Sequence, residues 1–209
     1  MLGDAGAGQD WLKDVFGPSI DKVGRLAELL EEQAEVRGLL GPQELDRLWE
    51  RHLVNCALLE PLLPPSGLVI DVGSGAGLPG LVLSAMRPEL EFELVDSKRR
   101  RADWLDFATS QLELGNVRVT WGRAEELRGR DAAGVVSRAV GSLAELARLT
   151  SQLLAPKGVF LALKGRQAAE ELERFRIELE RRGLGDAELL EVGSAARGGI
   201  SYVVRAWRR

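Results

Sequence analysis

Between Val69 and Gly80 the chain reads VIDVGSGAGLPG, an apolar run that reaches Asp71 and then passes four glycines. A run of this kind is a buried strand that feeds a sharp loop. Glycine adopts positive φ without steric cost and lets a ligand or a second backbone come close. In a sheet of parallel strands, such a loop sits between a strand and the helix that crosses over to the next strand. Three uses of the loop are open at this point: a nucleoside-bearing cofactor, a phosphate, or a tight turn with a helix cap.

The remainder of the chain keeps the alternation that the loop implies. Strands are expected at 68–72, EFELVD, NVRVTW, AAGVVSRAV and VFLALKG. Helices are expected between them: at 79–86, from a Ser97 N-cap onward with Trp104, Leu105, Ala108 and Leu112 inward, along SLAELARLTSQLL, and at 167–182. The last two apolar runs, near 187–192 and 200–207, flank GSAARGG and read as a hairpin. The fold class is therefore α/β and Rossmann-like, a mostly parallel sheet with an antiparallel last strand. Residues 1–9 are rich in Gly and Ala. Two helices follow, Ile20 to Val36 and about Gln43 to Leu59. The second carries an apolar stripe of Leu45, Leu48, Trp49, His52, Leu53 and Cys56 at helical spacing. Pro64-Pro65 is taken as the junction between a helical extension, 1–64, and the main domain, 65–209.

Composition excludes several classes. The chain has 209 residues, 45% hydrophobic and 29% charged, enough for a full core. One cysteine rules out an intramolecular disulfide, and no apolar run is long enough to cross a bilayer. A cytoplasmic protein without a membrane partner is expected. The net charge of −4 gives no general attraction for nucleic acid. The cations are grouped, however: Lys98, Arg99, Arg100 and Arg101 are consecutive, Lys164 and Arg166 flank a glycine, and no acid interrupts Arg197, Arg205, Arg208 and Arg209.

The cofactor can be narrowed by its chemistry. No Gly-Lys-Ser/Thr follows the loop, which argues against a nucleoside triphosphate. Gly73, Gly75 and Gly77 give G-x-G-x-G rather than the dinucleotide spacing, and Tyr202, the only tyrosine, lies too late in the chain for a nicotinamide-dependent oxidoreductase. Asp96 closes the second strand, where a carboxylate can accept both ribose hydroxyls. Asp71, at the root of the loop, suits a sulfonium cation better than a pyrophosphate. S-adenosylmethionine satisfies all of these.

With DVGSGAGLPG, GRAEE, SRAV and LALKGR in this order, and LLGPQELDRLWERHLVNCALL ahead of them, the chain resembles the RsmG (GidB) family, its actinobacterial branch in particular. These are bacterial 16S rRNA (guanine-N7) methyltransferases. The resemblance implies transfer of a methyl group from S-adenosylmethionine to a guanine near the decoding site, in the 530 loop. It places Gly73 and Leu78 on the cofactor and Asp96 on its ribose. Ala124 and Glu125 would flank the adenine. Arg138, the one position assigned to catalysis, would lie near the methyl donor or the incoming base, and Lys164 and Arg166 at the mouth facing RNA. The implied partner is 16S rRNA or the small ribosomal subunit, bound by a monomer that needs no metal. The alternatives are a methyltransferase acting on a small molecule or another RNA, and a non-catalytic RNA-binding factor.

The chemistry agrees with a chain that has a single histidine. Guanine N7 carries a free lone pair, so alkylation needs alignment and no general base. His52 lies on an apolar stripe and reads first as a core or interface residue. The functional alternative has Arg51 and His52 reaching over the cleft. Cys56, Trp104 and Trp121 read as packing residues. Four cations at a helix start oppose the macrodipole, so Lys98 to Arg101 are assigned to RNA together with Arg51, His52, Lys164, Arg166 and Arg197.

Overall fold

The computed structural model describes residues 10–138, 141–194 and 199–209. The chain opens with α1 (Asp10–Phe16), α2 (Ile20–Arg37), α3 (Pro42–Leu45) and α4 (Val54–Ala57). The alternating part then runs β1 (Leu68–Val72), α5 (Gly80–Met86), β2 (Glu91–Asp96), α6 (Arg99–Gln111), β3 (Val117–Trp121), β4 (Ala132–Arg138), α7 (Leu143–Thr150), β5 (Leu154–Lys164), α8 (Ala168–Arg181), β6 (Leu184–Ser194) and β7 (Gly199–Arg208). The seven strands form one sheet in the order β3-β2-β1-β4-β5-β7-β6. The first five are parallel, β7 is antiparallel to β5, and β6 and β7 form a hairpin. The expected fold class and the antiparallel last strand are both present. The direction of growth reverses between β1 and β4, the place where such sheets leave a crevice beyond the strand ends.

The alternation of side chains along each strand assigns the helices to faces. Ile70, Val135 and Phe160 pack with Leu143, Leu146, Leu172 and Leu179 under α7 and α8. Val69, Phe92, Val136 and Leu161 pack on the opposite face with Leu83 of α5 and with Leu59 and Leu63. The N-terminal helices lie on this second side, where Leu26 and Leu30 of α2 share a core with Leu81, Trp104 and Leu105.

Two local expectations are corrected. The segment from Gln43 to Leu59 is not one helix. It divides into α3, a π-helical turn Leu48–Leu53 and α4, and a 3-10 turn Glu60–Leu62 follows it. The stripe is still buried, with Leu48, His52, Leu53 and Cys56 at 2% exposure or less. The helix after β2 starts at Arg99, with Lys98 at its N-cap and no side-chain cap from Ser97. Asp96 Oδ1 accepts from the Lys98 amide instead, at 2.9 Å.

Candidate cofactor and substrate cleft

A cleft of about 490 Å³ opens beyond the carboxyl ends of β1, β2, β3 and β4. Its floor is the glycine loop. The amides of Gly73 and Ser74 donate to Val95 O at 2.9 and 3.1 Å, and the Gly75 amide donates to Asp96 Oδ2 at 2.9 Å. The loop is thus tied to the next strand by three hydrogen bonds. Gly75 has φ +57°, and a Cβ added there would make only ordinary van der Waals contact, 3.7 Å from Gly73 O and 3.9 Å from Arg101 Nη1. Gly77, at φ +91°, is different: a Cβ there falls 2.2 Å from Leu81 Cδ1.

Most of the expected cofactor residues meet at this cleft. Gly73, Gly75, Leu78, Asp96, Ala124, Glu125 and Arg138 all line it. Asp96 has one backbone donor on each oxygen, through Gly75 and Lys98, which leaves lone pairs on both for a pair of hydroxyls. Ala124–Glu126 forms a 3-10 turn, and the first amides of such a turn have no acceptor within it. An open glycine floor, a carboxylate and unclaimed amides are the donor and acceptor set that an adenosyl cofactor needs, so the residues present fit S-adenosylmethionine.

Asp71 and Gly77, also expected on the cofactor, are not among the residues that line the cleft. Asp71 is fully buried, and its Oδ2 accepts from the Gly80 amide at 3.0 Å. Its Oδ1 has no hydrogen-bond partner among the described residues. Burial pushes this carboxyl up to about 7, against smaller opposing effects from the Gly80 and Ser74 hydrogen bonds.

The basic run after β2 divides. Lys98, Arg99 and Arg100 are exposed. Arg99 pairs with Asp103 at 2.7 Å and lies over the Trp121 ring, 4.8 Å from its centroid. Trp121 is 57% exposed, which corrects its reading as a packing residue, whereas Trp104 is fully buried as expected. Arg101, expected to face RNA, lines the cleft instead, with Nη1 3.7 Å from Asp96 Oδ2. Helical rotation separates it from Arg99 by about 200°. Lys164, expected at the mouth, is tied to Glu171 Oε1 at 3.1 Å and to the Gly141 carbonyl at 2.9 Å. Arg51 and Arg166 are exposed, and Arg197 lies outside the described residues.

The N-terminal segment supplies a wall of which the sequence pattern points only to His52. Leu39, Leu40 and Glu44 also line the cleft, as do Arg123, Glu145, Arg148 and Leu149. The GLLGP stretch reads as a helix breaker and conceals a pair of wall residues. Four arginines on the wall, Arg101, Arg123, Arg138 and Arg148, stand against four carboxylates, Glu44, Asp96, Glu125 and Glu145. The interior of the cleft is close to neutral, so attraction for a polyanion comes from the exposed cations outside it.

His52 and Arg138 meet inside this wall. His52 is 2% exposed, its Nδ1 is in direct contact with Arg138 Nη2, and Cys56 Sγ lies 3.6 Å from Arg138 Nη1. Burial and the adjacent guanidinium bring the His52 imidazole down to about 4. Burial likewise raises the Cys56 thiol to about 11.

This sheet order, with an adenosyl-sized cleft at the switch point, is the layout of the Rossmann-like S-adenosylmethionine-dependent methyltransferases. Solved structures share it at low sequence identity. A SAM-dependent methyltransferase from Aquifex aeolicus superposes with a TM-score of 0.55 at 16% identity, covering 88% of this chain and 97% of that one. TYW2 of M. jannaschii, solved in complex with AdoMet, gives 0.57 at 18% identity, with 74% of each chain covered. Within this class the particular family follows from sequence. Residues 19–197 match the family model GidB, rRNA small subunit methyltransferase G, and the chain belongs to that family. Ribosomal RNA small subunit methyltransferase G of Thermobifida fusca is 44% identical over 197 residues, covering 94% of this chain and 83% of the relative. The protein of the same name from Streptomyces coelicolor is 44% identical over 195 residues, covering 92% and 82%.

Proposed function

We propose that the protein transfers a methyl group from S-adenosylmethionine to N7 of a guanine in 16S rRNA, near the decoding site in the 530 loop. The relatives carry the name rRNA small subunit methyltransferase G, which supports the RNA class. The observation that carries the cofactor assignment is the convergence of Gly75, Asp96, Ala124 and Arg138, from four separate strand ends, on one cleft.

When bound, S-adenosylmethionine supplies an electrophilic methyl group on a sulfonium. The chain's own residues orient and shield. Asp96 accepts from the ribose hydroxyls, the amides at Ala124 and Glu125 face the adenine edge, and Gly73, Gly75 and Leu78 hold the remainder. Arg138 stands where the base enters. No side chain has to remove a proton, because N7 has none at neutral pH. Holding two reactants in line is worth up to about 7–11 kcal/mol. Residues 65–209 carry this chemistry in our reading, and the extension 1–64 closes the cleft over it. Lys98, Arg99, Arg100, Arg51 and Arg166 hold phosphates, with an affinity that falls as salt rises.

The test is incubation of small subunits lacking the modification with protein and S-adenosylmethionine, followed by mass mapping of the 16S rRNA. One added methyl on a guanine near the decoding site, with strand cleavage after borohydride and aniline, is the expected result. Cofactor binding without any methyl gain on subunits would move the substrate to partly assembled particles, another RNA or a small molecule.

A further inference from the structure

We infer, on the guanine-methylation reading above, that His52 is a positioning residue: as a neutral imidazole it accepts a hydrogen bond from Arg138 and fixes that guanidinium at the substrate end of the cleft. A guanidinium has no acceptor and does not lose its proton, so the ring nitrogen facing it has to offer a lone pair. Nδ1 is therefore unprotonated and the ring proton sits on Nε2. Nε2 is buried and has no hydrogen-bond partner among the described residues. A buried donor without a partner is a cost, and an apolar side chain of similar shape at this place would avoid it. Stability alone does not account for an imidazole here.

The choice of acceptor has a chemical consequence. Among the described residues Arg138 makes no ion pair; its polar neighbours are the His52 ring and the Cys56 sulfur. A carboxylate in the same place would hold the guanidinium and also cancel its charge. A neutral imidazole holds it and leaves the charge free for acceptors on the RNA, such as a phosphate oxygen or the O6 edge of guanine. His52 sits in the π turn Leu48–Leu53, and turns of this kind recur at functional sites.

His52 is the only histidine, so its ring nitrogens can be observed without ambiguity by 15N NMR. The expected spectrum has an unprotonated Nδ1 and a protonated Nε2, with the Nδ1 signal displaced in Arg138→Ala. A protonated Nδ1, or a spectrum unmoved by Arg138→Ala, overturns the pairing whether or not the RNA reading holds. The kinetic test compares His52→Leu, which keeps apolar volume, with His52→Asn, which restores an acceptor near the place of Nδ1. His52→Leu should lower the single-turnover rate on small subunits by ~10-fold or more with cofactor affinity unchanged, and His52→Asn should stay within ~3-fold of wild type. Wild-type turnover in His52→Leu overturns the role, as does equal loss in both variants at native Tm. If His52→Leu does not fold, His52→Gln replaces it: its amide reaches the place of Nε2 and leaves that of Nδ1 empty, and a wild-type rate there contradicts the role. Absence of methyl gain by the wild-type protein counts against the RNA reading alone.

Discussion

The cleft has two walls built in different ways. The sheet wall is made of strand ends held by directed hydrogen bonds from backbone amides, with Gly73 and Ser74 on the Val95 carbonyl and Gly75 and Lys98 on the Asp96 carboxylate. The N-terminal wall brings Leu39, Leu40, Glu44 and His52 to the cleft through packing of α1, α2 and α4 on α5 and α6. Each position on the sheet wall needs a particular chemical type, a residue without Cβ or an acid ending a strand. The N-terminal wall is mostly apolar residues of suitable volume, with Glu44 and one acceptor for Arg138. On the proposed function, the first wall, which belongs to the fold, takes the cofactor, and the second, added to the fold, faces what the cofactor reacts with.

Substitution within the loop breaks the sheet wall in two separable ways. Gly77→Ala forces a Cβ against Leu81, which is fully buried, at a backbone angle that L-residues avoid. It should cost about 3 kcal/mol or more in stability, read as a lower Tm. Gly75→Ala meets no such atom. It should cost only about 1–2 kcal/mol of left-handed strain while cofactor affinity falls, because the added methyl points into the cleft.

Asp71 tests the support behind the same wall. Its folded pKa, about 7, lies above its unfolded value, so the native state binds the extra proton. Stability of the unliganded protein should fall as pH rises from about 4 through 7, by on the order of a few kcal/mol. Asp71→Asn keeps an oxygen for the Gly80 amide and should flatten that slope, as measured by urea unfolding at several pH values.

The next effect belongs to the meeting point of the two walls. Arg138→Ala should lower methyl transfer by ~100-fold, with Tm reduced only by the lost contacts to His52 and Cys56, since the side chain lines the cleft. Unfolding of this variant would make Arg138 structural. The smallest effect is outside the cleft. Replacing Lys98, Arg99 and Arg100 by Gln should leave cofactor binding unchanged and reduce the slope of log RNA affinity against log salt by up to ~0.7–0.9 for each phosphate no longer neutralised.

The same contrast governs what the sequence discloses. The strands, the glycine loop and Asp96 can be read because continuous apolar runs, buried on both faces, and positive-φ positions leave a local record. The antiparallel β7 can be read from the hairpin loop before it. The π turn cannot, because a 3.6-residue stripe buries the same side chains whether or not the hydrogen bonds shift by one. Lys98 to Arg101 read as one basic face, yet helical rotation sends Arg101 to Asp96 and leaves Arg99 on Trp121. Trp121 itself ends an edge strand, where one face has no covering helix, so an apolar residue there does not imply burial. Lys164 reads as a free cation only until α8 brings Glu171 to it.

Calorimetric titration of S-adenosylmethionine into wild type, Asp96→Ala and His52→Leu tests the division between the walls most directly. The prediction, read at a temperature where each variant remains folded, is a ~10-fold or greater loss of affinity in Asp96→Ala and wild-type affinity in His52→Leu. Wild-type affinity in Asp96→Ala, or a comparable loss in His52→Leu, would contradict it and place the cofactor against the N-terminal wall instead.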